Sequence, residues 1–136
     1  MKNKYPLAQS LFILVMSFSL AVAHSEESKK ATDAKLHQIG LVWLKDAGDE
    51  ETRQKVIDAV HEFGRAIPEV KSAVVGTSAG QESPYLDTSY DLCFILTFED
   101  EESRQRYNEH PVHQKAAQEV FLPLSEKLQF YLFVSQ

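Results

Sequence analysis

A short run near the C-terminal end of the chain carries the side chains best suited to acid–base chemistry. Tyr107, His110 and His113 place a phenol and two imidazoles within seven residues. Pro111 follows His110, and the residue before a proline is kept out of the helical region, so we predict that a helix carrying Tyr107 ends near His110. Proline is well tolerated at the first position of a helix, which would place His113 in the first turn of the next one. A helix N-terminus disfavours an imidazolium, so we expect His113 to stay neutral and able to accept a proton.

Each candidate side chain also has a structural interpretation. His113 and Tyr107 are either a catalytic pair, with His113 as general base, or a buried pair in which the histidine bonds a backbone carbonyl. His110 is either a pocket residue or a cap of the turn between the helices. His37 shares one face of an apolar strand with Trp43, which predicts either a position in a ligand pocket or a hydrogen-bonded core histidine.

The pattern does not favour a metal or a cofactor. His110 and His113 are three residues apart, but a broken helix between them removes the regular face on which two ligands would meet. We find no third ligand at a recognisable spacing and no further signature of a haem protein. Gly76 and Gly80 form no phosphate-binding pattern. We therefore expect no metal site and no cofactor.

The first 23 residues are typical of a secretory signal. Two lysines, an apolar run over 11–22 and an A-x-A cleavage site over 21–23 follow one another in the expected order. The apolar run is shorter than the roughly 20 residues of a membrane span. We predict cleavage after Ala23, a flexible leader over 24–35, and an exported protein (periplasmic or secreted) without stable membrane insertion. Mass spectrometry of the mature N-terminus tests this expectation, and an intact initiator methionine would contradict it.

Composition excludes further classes of protein. The 136 residues carry 14 basic and 20 acidic side chains, a net charge of −6, and loss of the signal removes two lysines, which makes it −8. An acidic surface repels phosphate backbones, and no basic stripe is present, so nucleic acid is not an expected partner. Cys93 is the single cysteine, so no internal disulfide can form. Its apolar neighbours predict a buried thiol.

Hydrophobic periodicity predicts one α+β domain over 36–136 with the order β-α-β-β-α-β. The predicted elements are a strand over 36–44, a helix capped by Asp49 and ended by Pro68, strands over 70–77 and 90–98 joined by a loop over 78–89, a charged helix over 100–109, a helix from Pro111 through Phe121 that Pro123 bends or ends, and a last strand over 128–134.

A four-stranded, mainly antiparallel sheet with helices on one face leaves its other face bare. We expect Val42, Leu44 and their neighbours on the adjacent strands to form an exposed apolar patch on that face. Patches of this kind mark interfaces, and a two-fold pairing of sheet against sheet would cover it. The pattern therefore predicts a homodimer.

With this topology, the chain resembles the stress-responsive dimeric α/β-barrel family, abbreviated Dabb, from about residue 36 to 134. The most specific element is Y-x-x-H-P-x-H, from Tyr107 to His113. The resemblance implies ferredoxin-like monomers whose sheets pair into a dimeric α+β barrel with the helices outside. The weaker matches are His37, Trp43-Leu44-Lys45, Ile67-Pro68-Glu69-Val70, Gly76, Tyr90-Asp91-Leu92 and Phe98-Glu99.

The same resemblance leaves two functions open. The family includes plant stress proteins, bacterial proteins without known activity and a plant polyketide cyclase, and the likeness to the cyclase implies Tyr107 and His113 as a catalytic pair. The first function is a binding or stress-protective homodimer with a small apolar pocket per subunit, lined by His37, Tyr107 and His113. The second is a cofactor-free cyclase-like or monooxygenase-like enzyme acting on a small aromatic or polyketide-like molecule. An exported location is foreign to polyketide synthesis, which favours the first.

Overall fold

The computed structural model describes residues 34–136, so the predicted signal and nearly all of the predicted leader lie outside the described residues. No helix within 34–136 has the length and apolar character needed to cross a membrane. The elements in chain order are β1 (Leu36–Leu44), α1 (Glu50–Ala66), β2 (Ser72–Thr77), β3 (Leu92–Phe98), α2 (Glu101–Glu109), α3 (Pro111–Ala116), a π-helical segment (Ala117–Phe121), the single turn α4 (Leu122–Leu124) and β4 (Ser125–Val134).

The four strands form one sheet in the order β2-β3-β1-β4, and all three neighbouring pairs are antiparallel. The register places Ile39 of β1 opposite Ile95 of β3 and Tyr131 of β4. This is the ferredoxin-like α+β topology, so the predicted fold class and element order are confirmed.

Helix α1 follows the sequence pattern closely. The side chain of Asp49 accepts the backbone N–H of Thr52 at 2.8 Å, which satisfies one of the unpaired donors at the helix start. Val56, Val60 and Phe63 are all buried and pack in one core with the alternate residues of β1 and β3. The predicted cap and buried stripe of this helix are both confirmed.

The prediction of which strand face is bare was wrong. Val42 and Leu44 are 0% and 2% exposed and pack in the core beneath the helices. The bare face instead carries the other set of β1 side chains, and successive side chains of a strand point to opposite faces. Both sets are largely apolar, so hydrophobicity alone could not assign them. The β1 residues of the bare face are His37, Ile39, Leu41 and Trp43, all partly exposed.

The last helical stretch is not the continuous α-helix that the sequence predicts. After Ala116 the backbone widens into a π-helix, in which the N–H of Leu122 bonds the carbonyl of Ala117, five residues earlier. Pro123 lies one residue further on, has no N–H to donate, and would crowd the carbonyl four residues before it in a regular α-helix. Its expected effect is confirmed, because the helical stretch ends at Leu124.

Strand β4 is an edge strand with apolar side chains exposed on both of its faces. The five residues from Phe130 to Val134 are each between 47% and 51% exposed. On the bare face Tyr131 lies beside Ile39 of β1, and the row continues through Ile95 of β3, which is 37% exposed, to Val74 of β2, which is 59% exposed. The described chain therefore shows a continuous apolar surface that runs from the centre of the sheet to its β4 edge.

Candidate functional site

A cavity of about 350 Å³ lies between the helix-covered face of the sheet and the helices. Its volume is at the lower end of the range for sites that hold small organic molecules. Most of its wall is apolar, and the polar side chains that reach it come from β1, α2 and α3. Those polar residues are Gln38, Arg104, Tyr107, Asn108 and His113.

Aromatic rings supply much of the apolar wall. Phe63 of α1 stacks on Phe121 of the π-helical segment, with ring centroids 5.9 Å apart. Phe94 of β3 meets Phe121 and Phe130 edge-on, at 5.9 and 6.2 Å. Offset and edge-to-face contacts of this kind add to the stability gained by burial. The wider π turn places Phe121 and its neighbours on the cavity wall, and such turns occur frequently at functional sites.

The break between α2 and α3 brings Tyr107 and His113 together. His110 has an extended backbone, with φ −67° and ψ 134°, and Pro111 begins α3, as the sequence predicts. The chain therefore turns between the two helices, and the rings of Tyr107 and His113 meet with centroids 4.3 Å apart. Both rings also contact Phe63 of α1. A phenol and an imidazole thus share one wall of the cavity.

Hydrogen bonding fixes the tautomer of His113. Its Nδ1 lies 3.0 Å from the backbone oxygen of Asn108, and a carbonyl oxygen can only accept, so Nδ1 carries the proton. In the neutral ring Nε2 is then an acceptor, and it has no hydrogen-bond partner among residues 34–136. Burial lowers the pKa of His113 below its ordinary value, and the Asn108 contact opposes this only in part. The sequence predicts a neutral His113, and the lowered pKa agrees with that prediction. The main cause of the lowered pKa is burial rather than the helix N-terminus.

Tyr107 is the largest fully buried side chain of the described core, at 2% exposed. Burial raises the pKa of its hydroxyl well above the ordinary range, and the nearby Arg104 guanidinium lowers it in part. The phenol is therefore protonated at neutral pH and can donate a hydrogen bond. Together, Tyr107 and His113 offer a donor and an acceptor in a largely apolar cavity.

The family model for the stress responsive A/B barrel domain, Dabb, matches residues 36–133. The chain belongs to the Dabb family. This match spans every strand and helix described above except the last residue of β4 and includes the Y-x-x-H-P-x-H element, so the resemblance in sequence is confirmed at the level of the family.

Solved structures agree with this assignment of the chain to the Dabb family. A Dabb protein with a ferredoxin-like fold from Mesorhizobium loti is 25% identical, with a TM-score of 0.62 over 76% of this chain and 98% of that one. A dimeric ferredoxin-like protein of unknown function from Thermobifida fusca is 24% identical, with a TM-score of 0.62 over 75% and 92%. A hydroxynitrile lyase from Passiflora edulis is 18% identical, with a TM-score of 0.66 over 75% and 94%. No curated protein matches the chain in sequence.

Two of the predicted pocket residues of this Dabb domain, His37 and Trp43, lie on the opposite side of the sheet from the cavity. The ring of His37 stacks on Phe133 at 4.7 Å, and its Nδ1 lies 3.0 Å from the hydroxyl of Thr97. Trp43 donates to the hydroxyl of Ser89 at 3.0 Å. Odd-numbered residues of β1 face away from the helices. The prediction that His37 and Trp43 line the pocket with Tyr107 and His113 was therefore wrong.

The third predicted pocket residue, His110, is a cap. Its Nδ1 accepts the backbone N–H of Val112 at 3.2 Å, and its own N–H donates to the carbonyl of Tyr107 at 3.1 Å. These bonds close α2 and open α3, so His110 positions its two neighbours in the motif without lining the cavity.

Sequence reasoning missed three polar residues of the cavity. Gln38 is the only polar side chain on its face of β1, and a buried amide there is a signal that could have been used. Arg104 precedes Tyr107 by three residues, so both lie on one face of α2. Asn108 supplies the carbonyl that holds His113. Within residues 34–136 no group of three or more His, Cys, Asp or Glu side chains is arranged to hold a metal ion.

Proposed function

We propose that this Dabb protein is an exported homodimer that binds one small molecule per subunit, in the cavity beneath the helices. The ligand has an apolar or aromatic body and a polar oxygen group. The observation that carries the proposal is the contact between Tyr107 and His113 in a largely apolar wall rich in phenylalanine rings. A few convergent polar groups in an apolar cavity are what orient a ligand in sites of this size.

The apolar surface that extends from Ile95 to β4 supports the dimer. Isolated proteins rarely leave so continuous an apolar surface open to water. A second copy would present the same surface, which a two-fold axis allows to pair with itself. The structural neighbour from Thermobifida fusca is described as dimeric, and its fold is the one found here.

A second candidate function is proton-transfer catalysis without a cofactor, of the cyclase-like or lyase-like kind. The specific observation is the tautomer of His113, because Nδ1 is held by Asn108 and Nε2 is left as an acceptor, in a ring whose centroid lies 4.3 Å from that of Tyr107. A neutral imidazole that can take up a proton and a protonated phenol that can donate a hydrogen bond are the two groups that such chemistry needs. The hydroxynitrile lyase neighbour shares the fold, so a hydroxynitrile is the first substrate to test.

Substitution of His113 by glutamine separates the two candidates. We expect neutral single-ring aromatic amides, alcohols and ketones to bind the wild-type protein, as seen by changes in its NMR spectrum at the cavity residues. In His113→Gln a polar group remains, so binding should change by less than about tenfold, the equivalent of about 1.4 kcal/mol. If the protein is an enzyme, turnover should fall by about 10²- to 10⁴-fold, because glutamine cannot take up a proton.

His61→Gln is the matched control, since His61 is exposed on α1 and does not line the cavity.

The lowered pKa of His113 sets the pH dependence. The ring stays neutral above its ordinary pKa of about 6.5, so activity should be constant there and decline only below it. Failure of the whole panel to perturb the cavity residues would rule out the binding proposal.

A further inference from the structure

We propose that the cavity selects a carboxylate, with Arg104 as the residue that binds it. This inference rests on the proposed binding function and assigns the ligand to a chemical class, the small aromatic monocarboxylates. The observation behind it is one guanidinium that lines an apolar cavity and uses only two of its five N–H donors in a contact with Glu101.

Arg104 is oriented differently from the other arginines that pair with a glutamate of their own helix. Its side chain is 20% exposed, against 66% for Arg65 and 50% for Arg106. The exposed pairs are typical of a solvated helix surface, where such a pair contributes little. Arg104 instead lines the cavity, and its charge lowers the pKa of Tyr107. The guanidinium therefore lies within electrostatic reach of the phenol.

One edge of the Arg104 guanidinium is occupied by Glu101. Nε donates to one carboxylate oxygen at 2.9 Å and Nη2 donates to the other at 2.6 Å. A guanidinium has five N–H donors, and this bidentate contact uses two of them. Nη1 has no hydrogen-bond partner among residues 34–136. The edge formed by Nη1 and Nη2 is thus a second fork of the geometry that matches a carboxylate.

The remainder of the cavity fits the rest of such a ligand. Phenylalanine rings line the same cavity as Arg104, so a phenyl group attached to the carboxylate by a short chain would be buried among apolar side chains. Gln38 is 7% exposed, and its amide lines the same cavity. It offers a donor for the second oxygen. Glu101 is half exposed and, among residues 34–136, is the one carboxylate paired with Arg104.

The test compares 3-phenylpropionate with its neutral amide, 3-phenylpropanamide, by isothermal titration calorimetry in low salt at about pH 7.5, where a carboxylic acid is ionised. We expect wild-type protein to bind the carboxylate about tenfold more tightly, because a hydrogen bond to an ion is roughly twice as strong as a neutral one. Arg104→Gln should abolish this preference. Arg104→Lys keeps the charge without the fork and should retain only part of it.

The Glu101→Gln variant distinguishes a guanidinium that binds ligand from one that only forms a structural ion pair. Removing this carboxylate leaves the guanidinium uncompensated, so 3-phenylpropionate should bind more tightly than to wild-type protein. Arg65→Gln removes an equivalent pair away from the cavity and should leave both affinities unchanged. Circular dichroism of each variant reports that the fold is intact.

Each outcome of this experiment decides the inference. If the amide binds wild-type protein as tightly as the carboxylate, or if Arg104→Gln keeps the preference, the assignment of Arg104 falls and the binding function stands. If neither probe binds wild-type protein, the carboxylate assignment falls, and the panel of neutral ligands decides whether the binding function falls with it.

Discussion

Replacing Ile95 by glutamate is expected to convert the proposed dimer into a monomer. Ile95 lies at the centre of the bare face, between Val74 on one side and Ile39 on the other. A two-fold interface would bury the new carboxylate twice, and each buried, unpaired ion costs several kcal/mol. A cost of about 4 kcal/mol raises the dissociation constant roughly a thousandfold. Size-exclusion chromatography with light scattering at micromolar concentration measures the change.

Leu86→Glu is the matched control for this dimer experiment. Leu86 is also an exposed apolar residue, but it lies in the loop between β2 and β3, outside the sheet. The same charge placed there should leave the dimer intact. A wild-type protein that is already monomeric at micromolar concentration, or an Ile95→Glu variant that stays dimeric, would count against pairing through the bare face.

Gly40→Ala is expected to destabilise the domain by about 1–3 kcal/mol, the usual cost of forcing an extra carbon into a packed core. A Cβ built on Gly40 would lie 2.3 to 2.7 Å from three carbons of the Phe94 ring. That ring cannot move without disturbing Phe121 and Phe130, which pack against it. Urea denaturation monitored by circular dichroism gives the change in the free energy of unfolding.

Gly76→Ala is the corresponding control. It is also a strand glycine, but a Cβ added to it meets no heavy atom within 4 Å. We expect its stability to change by no more than about 1 kcal/mol, and in the favourable direction, because alanine restricts the unfolded chain. If both substitutions changed the free energy of unfolding equally, the position of the Phe94 ring would not require the absence of a side chain at Gly40. A displaced Phe94 ring should also weaken ligand binding, since it lines the cavity.

The parts of the fold that depend on local chemistry could be predicted from the sequence. The limits of β1, the Asp49 cap and the break at His110-Pro111 each follow from a few adjacent residues. The π-helical segment could not be predicted, because a run of helix-forming residues before a proline is equally compatible with an α-helix. Its extra residue is accommodated by packing against the cavity, which is a property of the assembled domain.

The same distinction applies to the candidate site. Tyr107 and His113 were found because they lie six positions apart and a proline defines the turn between them. His37 was placed on the wrong side because the two faces of β1 are about equally apolar, and only the packed helices decide which is covered. Arg104 was missed because its spacing from Glu101 is typical of an ion pair on an exposed helix surface, and the sequence does not show that it lines the cavity.

The exposed end of β4 has a consequence for newly made protein. A subunit without a companion offers an open strand edge and five consecutive apolar or aromatic side chains, which is the combination that recruits other chains into aggregates. Dimerisation would then also protect the chain from aggregation, and it would have to occur soon after each subunit folds. At low protein concentration two subunits would meet rarely. Unpaired subunits would then persist longest, and the risk of aggregation per molecule would be greatest.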